Sequence, residues 1–575
     1  MAIADKAPAQ AVAAKPRWWL IFAGMFIVMA GAILAQTVRT AGGTAVTDVR
    51  FTGTNGTVMS ALLYVPINAT PAAPAPGILA VHGYINSRET QDGFAIEFAR
   101  RGYVVLSIDQ TGHGYTRGAA FSNGFGGPDG LRYLRSLAMV DVSQIGLEGH
   151  SMGGWAVLAA AAAMPGAYSS MVLEGSSTGA PYAQEGSQSW PRNLAVVFSR
   201  FDEFSNLMWG VDRAQDVSAS KKLQKAFGAA APVVPGLLYG SIAEGTARKL
   251  YQPITTHPGD HFSAAAIGDA VGWFAATLDG GTPRSPNDQI WYWKEAGTGI
   301  GLVGFIMIML GTFDAFVRLP LFAAIRVEAI PAADQRDRHW WHAFAVNTAL
   351  PALLFFPTFI AAALILPASR WLPQAVTTQT TLWAVGGAVV TLLIGRFMRR
   401  PIDYRQPDWL KSILLAGATV AAGYAMLWLV DHLFMTDFRL WVVAVKLPSV
   451  HQWAIAMIYV VPMTFAFLVT AKALAGLTVR TDPAGLQYIA SILTLTSGFL
   501  VMLGVIYGLF FLSGSLVTAF DPLSTVIALQ FVPVLAAVAV IATFTWRRTG
   551  SYHVGGLVSG LLVTLYVVAG TATQV

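Results

Sequence analysis

The spacing of apolar positions divides this chain into three regimes. Residues 18–38 form one continuous apolar run behind a polar stretch that carries Lys6, Lys15 and Arg17. At ~1.5 Å per helical residue such a run crosses ~30 Å of hydrocarbon. It exceeds the ~7–15 residues of a secretory hydrophobic region, and no Ala-x-Ala cleavage site follows it. The pattern therefore predicts a cytoplasmic tail over 1–17 and a transmembrane signal anchor over 18–39.

From 45 to 281 short β-prone runs alternate with helical stretches. Residues 46–51 and 57–64 flank Asn55-Gly56, a pair that tolerates positive φ and predicts a hairpin turn. Runs at 77–81, 103–109, 144–148, 170–174 and 194–199 read as strands, with helices near 92–101 and 156–164. Strands alternating with helices predict a mostly parallel sheet covered on both faces.

Beyond Trp291 the apolar runs lengthen again, predicting about eight transmembrane helices over 297–575, near 297–317, 342–367, 381–398, 412–433, 452–472, 487–512, 524–545 and 554–573. If the anchor runs from inside to outside, the connections on the cytoplasmic side hold Arg318, Arg326, Arg336, Arg338, then Arg396, Arg399, Arg400, Arg405, Lys411, then Lys472, Arg480, and finally Arg547 and Arg548. The opposite connections hold Arg370, Arg439 and Lys446, which is the bias of the positive-inside rule. This predicts a multi-pass protein of a bacterial-type inner membrane with segment 45–281 on the periplasmic or extracellular side.

Composition agrees with a chain mostly in lipid: mean hydropathy is +0.54, only 12% of residues are charged, and there are 17 Trp. The net charge of +6 sits between apolar segments rather than along one face, so no nucleic-acid partner is expected. The absence of cysteine excludes disulfides, thiolate catalysis and Cys-ligated zinc. Asp314, Asp431, His432, His342 and Arg396 are ionisable groups near predicted span ends, where headgroup water satisfies them.

The chemistry is concentrated in Gly149-His150-Ser151-Met152-Gly153-Gly154, which follows the β-prone run 143–148 and precedes the alanine-rich stretch 156–164. Gly-x-Ser-x-Gly between a strand and a helix reads as a nucleophile elbow, a turn too sharp for side chains two residues either side of the serine. With Val81-His82-Gly83-Tyr84 and Asp109-Gln110-Thr111-Gly112-His113-Gly114, each after a predicted strand, the segment resembles the α/β-hydrolase superfamily. The resemblance covers about 45–280. It implies an α/β-hydrolase fold fused to an all-α transmembrane helical bundle.

A serine hydroxyl needs a base, and the resemblance implies the chain order Ser, acid, His. Only His257 and His261 follow Ser151 within the segment. His257 lies just past the predicted last strand and leaves a loop before the final helix; His261 closes Pro258-Gly259-Asp260-His261, a familiar approach in such enzymes but tight against that helix. Both stay candidates, with His257 first. By the same resemblance Asp202, three residues after the run 194–199, is the acid, with Glu174 as the alternative. The Met152 and Tyr84 amides are then the oxyanion donors. His82, His113 and His150 are expected to pack around the sheet edge.

These readings predict a membrane-anchored serine esterase with an acyl-enzyme intermediate, acting on a small apolar or acylated substrate, lipid included, at the bilayer. No metal or organic cofactor is expected. Acyl transfer or peptide cleavage on the same triad is the alternative, as is a transporter or receptor with a non-catalytic hydrolase-like binding module. The segment of about 45 residues after Asp202, with Phe204, Leu207, Met208 and Trp209, is expected to cover the serine or pack on the helices below, and the apolar loop 436–452 to dock on segment 45–281 or lie in the interface.

Overall fold

The computed structural model describes residues 17–326, 329, 331–397 and 408–575, with the side chains of Arg396 and Phe397 excepted. Residues 1–16, with Lys6 and Lys15, the cations Arg399, Arg400 and Arg405, and the Arg396 side chain lie outside the described residues.

The alternating regime folds into a nine-stranded sheet of β1 (Ala45–Thr52), β2 (Val58–Val65), β3 (Ala75–Val81), β4 (Val104–Ile108), β5 (Val140–His150), β6 (Ser170–Glu174), β7 (Leu194–Val197), β8 (Leu238–Tyr239) and β9 (Arg248–Tyr251). Their spatial order is β1-β2-β4-β3-β5-β6-β7-β9-β8. Strands β3 to β7 and β9 run parallel, while β1, β2 and β8 pair antiparallel at the margins. The predicted turn closes the β1–β2 hairpin, with Asn55 at φ 57° and Gly56 at φ 73°.

Parallel strands must be covered on both faces, and here they are. Of the helices α1 (Trp18–Arg39), α2 (Asp92–Ala99), α3 (Gly127–Ser136), α4 (Met152–Ala163), α5 (Ser205–Trp209), α6 (Lys221–Phe227) and α7 (Ala264–Thr277), the pair α3 and α4 covers one face. There Leu131, Leu134 and Val157 pack with Leu79, Leu106 and Leu147. Helices α2 and α7 cover the other, setting Phe94, Phe98 and Phe274 on Ile78, Val105 and Val172.

The third regime forms α8 (Trp291–Phe316), α9 (Arg338–Ile365), α10 (Ala375–Phe397), α11 (Trp409–Phe434), α12 (Val450–Gly476), α13 (Ala484–Ser513), α14 (Pro522–Thr549) and α15 (His553–Gly570). With α1, nine helices among the described residues are long and apolar enough to cross a membrane, which fits a multi-pass protein. Helices α1 and α8 pack backbone to backbone: a Cβ on Gly31 would lie 2.3 Å from the Gly297 carbonyl oxygen, the small-residue contact that lets membrane helices approach closely.

Helix α8 begins at Trp291, earlier than the expected 297, because Lys294 is neutralised inside the fold. Its Nζ lies 3.0 Å from Asp92 and 2.8 Å from Glu295, all three buried. Asp92, at the start of α2, also accepts from the Tyr64 hydroxyl at 2.6 Å and faces Arg39 of α1 at 3.6 Å. Buried charges cost little only when paired in this way, so the cluster sets how the α/β domain seats on α1 and α8.

The α/β domain sits at one end of the bundle. It meets the end of α1, the start of α8, the hairpin β10 (Phe438–Leu440)–β11 (Val443–Val445) between α11 and α12, the end of α13, the start of α14 and the segment after α15. The expected docking of loop 436–452 is seen in Trp441, whose indole N–H donates to the Pro258 carbonyl at 2.9 Å. At the opposite end Asp314 pairs with Arg548 at 2.5 Å and Arg318 at 3.3 Å, and Arg336 pairs with Asp482 at 2.6 Å. Thus Asp314 is a structural ion partner. His342 is exposed, and His432 stacks on Trp428.

Candidate active site

Strand β5 ends at His150 and α4 starts at Met152, leaving Ser151 alone in the turn with φ 54° and ψ −121°. A non-glycine residue in that region is strained and persists only where its surroundings impose it. Here the Ser151 amide donates to the Glu174 carbonyl at 2.8 Å, and its carbonyl accepts from the Gly154 amide at 2.9 Å. A Cβ on Gly153 would lie 2.0 Å from the Val81 carbonyl oxygen, so the close seating of α4 on β3 requires that glycine.

Asp202 and His257 come from the loops beyond β7 and β9, neighbouring parallel strands that end at the same sheet edge. His257 Nδ1 lies 2.8 Å from Asp202 Oδ2, and with the shared proton on Nδ1 the other ring nitrogen, Nε2, is an acceptor. The pair needs Gly175, at φ 51°, because a Cβ there would lie 2.8 Å from His257 Nδ1. Burial pushes the His257 imidazole down to about 4, the Asp260 carboxyl opposing it. Burial, and then Asp260, push Asp202 well above the usual carboxylate range. His257 is thus neutral at pH 7 and able to take a proton.

The other candidates are placed differently. His261 donates from Nε2 to Gln91 Oε1 at 2.6 Å, and Gln91 donates in turn to Glu148 at 2.8 Å. The Glu174 carboxyl is buried without a hydrogen-bond partner among the described residues, and burial and then Asp260 push it well above the usual range. The expected acid alternative therefore does not meet either histidine.

Two residues near the dyad take a part that the sequence did not assign to them. His150, expected to pack at the sheet edge, also holds the dyad: its Nε2–H donates to the His257 carbonyl at 3.0 Å. Glu203 accepts the His257 amide at 2.8 Å and the Tyr507 hydroxyl of α13 at 2.8 Å. Burial, and then Asp202, push Glu203 up to about 8. Its place next to Asp202 was the only sequence hint of Glu203, and nothing local pointed to its partner 304 residues away.

Ser151, Met152, Tyr84 and His257 line one cavity of about 420 Å³, inside the range of small-molecule sites. Met152 opens α4, where a helix amide has no acceptor within the helix. Gly83-Tyr84 passes beside Ser151, a Cβ on Gly83 falling 3.1 Å from the Ser151 Cβ. The Tyr84 hydroxyl accepts from Gln574 at 2.7 Å. Phe204, Leu207 and Met208 of the segment after Asp202 close one side, with the Phe204 ring 4.4 Å from that of His257. The same segment reaches the bundle through a bridge between Arg213 and Ser515, so it both covers the serine and packs below.

Residues 76–207 match the family described as alpha/beta hydrolase fold. The α/β domain has the α/β-hydrolase fold. Among solved structures, the hyperthermophilic esterase from the archaeon Pyrobaculum calidifontis is 16% identical over 45% of this chain and 92% of that one, with a TM-score of 0.30. Brefeldin A esterase, described as a bacterial homologue of human hormone sensitive lipase, is 14% identical over 47% of this chain and 88% of its own, with a TM-score of 0.29. An alpha/beta hydrolase from Penicillium sp. sh18 is 22% identical over 22% of this chain, which spans 45% of that protein, with a TM-score of 0.20. No curated protein matches this sequence. The family match and the strand order of the hydrolase domain, not these overlaps, carry the assignment.

Proposed function

We propose that this protein is a membrane-anchored serine hydrolase that cleaves an ester bond of an acyl substrate. The contact between His257 Nδ1 and Asp202 Oδ2 at 2.8 Å, inside the cavity that also holds Ser151, carries the reading. Ser151 is the nucleophile, His257 the base and Asp202 the group that holds its tautomer. Ser151 Oγ bonds to the acyl carbon while its proton passes to His257 Nε2. The carbonyl oxygen gains negative charge opposite the Met152 and Tyr84 amides, each such donor contributing ~3–4 kcal/mol in well-studied hydrolases. The ester C–O bond then breaks and the alcohol leaves with the proton from His257. Water, deprotonated by the same imidazole, releases the acid and restores the serine.

The distribution of cations supports a periplasmic or extracellular hydrolase domain. Arg318, Arg336, Arg480, Arg547 and Arg548 lie at the bundle end away from it, the cytoplasmic end by the positive-inside rule. The Ser151→Ala variant, purified as the full chain, is expected to lose both fluorophosphonate labelling and ester turnover. Turnover retained by that variant would remove Ser151 as the nucleophile.

A further inference from the structure

We infer that the ester cleaved at Ser151 carries a long acyl chain drawn from the bilayer, and that this chain runs along α14 in the cavity that holds Ser151 and puts its end into a slot between α10, α14 and α15. The inference rests on the hydrolytic reading above and adds the class of substrate and the residues that receive it.

The catalytic cavity is not confined to the hydrolase domain. One wall is the start of α14, where Pro522, Leu523, Val526 and Gln530 face the same space as Ser151 and His257. At ~1.5 Å per residue this wall descends ~12 Å along a membrane-crossing helix. A second space of about 60 Å³ shares Ile85, Trp441 and Gln530 with the first and continues downward. Its helical lining is apolar apart from Thr380 and the Tyr566 hydroxyl, which donates to Gln530 at 2.7 Å: Ile527, Phe531 and Val534 of α14, Val563 and Val567 of α15, and Val376 of α10. Val534 is ~18 Å below the helix start, beyond the middle of a ~30 Å hydrocarbon core. The hairpin forms the polar side, where Arg439 is taken up by Asp437 at 2.5 Å and Glu89 at 3.5 Å, and Lys446 lies buried beside it.

The rim is equally apolar on the membrane side. Leu207 and Phe520 edge the catalytic cavity, and Phe520 is 68% exposed. Leu512, at the end of α13, is 87% exposed. Large apolar side chains standing out where two membrane helices meet the headgroup level are covered by lipid rather than water. An acyl chain moving from lipid past this rim into the slot exchanges one apolar medium for another, whereas a polar chain would give up its water for nothing. The ~12 Å of α14 that lines the cavity with Ser151 exceeds the reach of an acetyl or butyryl group.

Two measurements on the full-length protein in lipid nanodiscs test this. A hexadecyl fluorophosphonate bearing a terminal diazirine is reacted with the protein and irradiated, and the crosslinked peptides are identified by mass spectrometry. Crosslinks within 523–534 or 563–571 are the expected result. Ser151 labelled but crosslinked only within 181–182 and 204–209, or only to lipid, would overturn the slot while leaving the hydrolase intact. Ser151 left unlabelled would instead refute the hydrolytic reading itself. Second, Val526→Trp fills the passage, and the ratio of hexadecanoyl to butyryl ester turnover is expected to fall about tenfold or more. An unchanged ratio would count against the slot.

Discussion

The hydroxyl of Tyr507, on a helix of the membrane bundle, donates to Glu203 at 2.8 Å, while the other oxygen of that carboxyl accepts the His257 amide at 2.8 Å. One side chain therefore ties α13 to the backbone of the proposed base. Cutting the tie with Tyr507→Phe leaves the fold in place but frees the His257 loop. A loss of about one hydrogen bond, ~1 kcal/mol, corresponds to a ~5-fold fall in turnover. Steady-state kinetics of the purified variant check it, and unchanged turnover would mean that the tie positions nothing.

Glu203 also predicts a pH dependence of stability. Its carboxyl is pushed up to about 8 in the fold from an ordinary 4.5, so the folded state holds a proton that the unfolded chain has released. That contribution is complete below pH 4.5 and is lost as pH rises through about 8. Glu203→Gln keeps the shape without the titration. Its thermal midpoint is expected to vary less between pH 5 and 8 than that of the parent, and parallel curves would contradict the assignment.

The rate profile should show the neutral state of the base. His257 gains a proton only as pH falls to about 4, so kcat/KM is expected to hold down to about pH 5, where an ordinary histidine would already be charged. An acid limb centred near 6.5 would place the working imidazole in a much wetter setting.

Substitution separates the two histidines. His257→Gln should cut turnover by ~10³-fold or more, and Asp202→Asn by ~10⁴-fold through the wrong tautomer. His261 lines the same cavity but bonds Gln91 and packs on the His150 ring rather than meeting Asp202, so His261→Gln should stay within about tenfold of the parent. Equal losses at His257 and His261 would undo the assignment of the base.

The seam between the domains makes a stability prediction. Lys294→Ala leaves Asp92 buried with Arg39 more distant at 3.6 Å, and the loss of one partner from a buried pair costs ~3–5 kcal/mol. A lowered unfolding temperature in detergent is expected. Replacing Asp92 as well should not recover it, because Arg39, buried against the same carboxylate, then loses its own partner.

The sequence alone determined what depends on near neighbours. Apolar spacing separates membrane helices from half-buried strands because period and length are local properties, and the β1–β2 turn and the elbow were legible because positive φ and close backbone packing demand particular residues within a few positions. The tertiary structure alone decided what depends on residues far apart. It brought Asp202 to His257 rather than His261, gave Glu203 a partner on α13, required Gly175 beside the dyad, let Lys294 begin a helix by pairing with Asp92, and opened the catalytic cavity onto α14. Each of these is a contact between segments whose separation along the chain carries no information about their distance in space, so only the packed chain could choose among the residues that the pattern allowed.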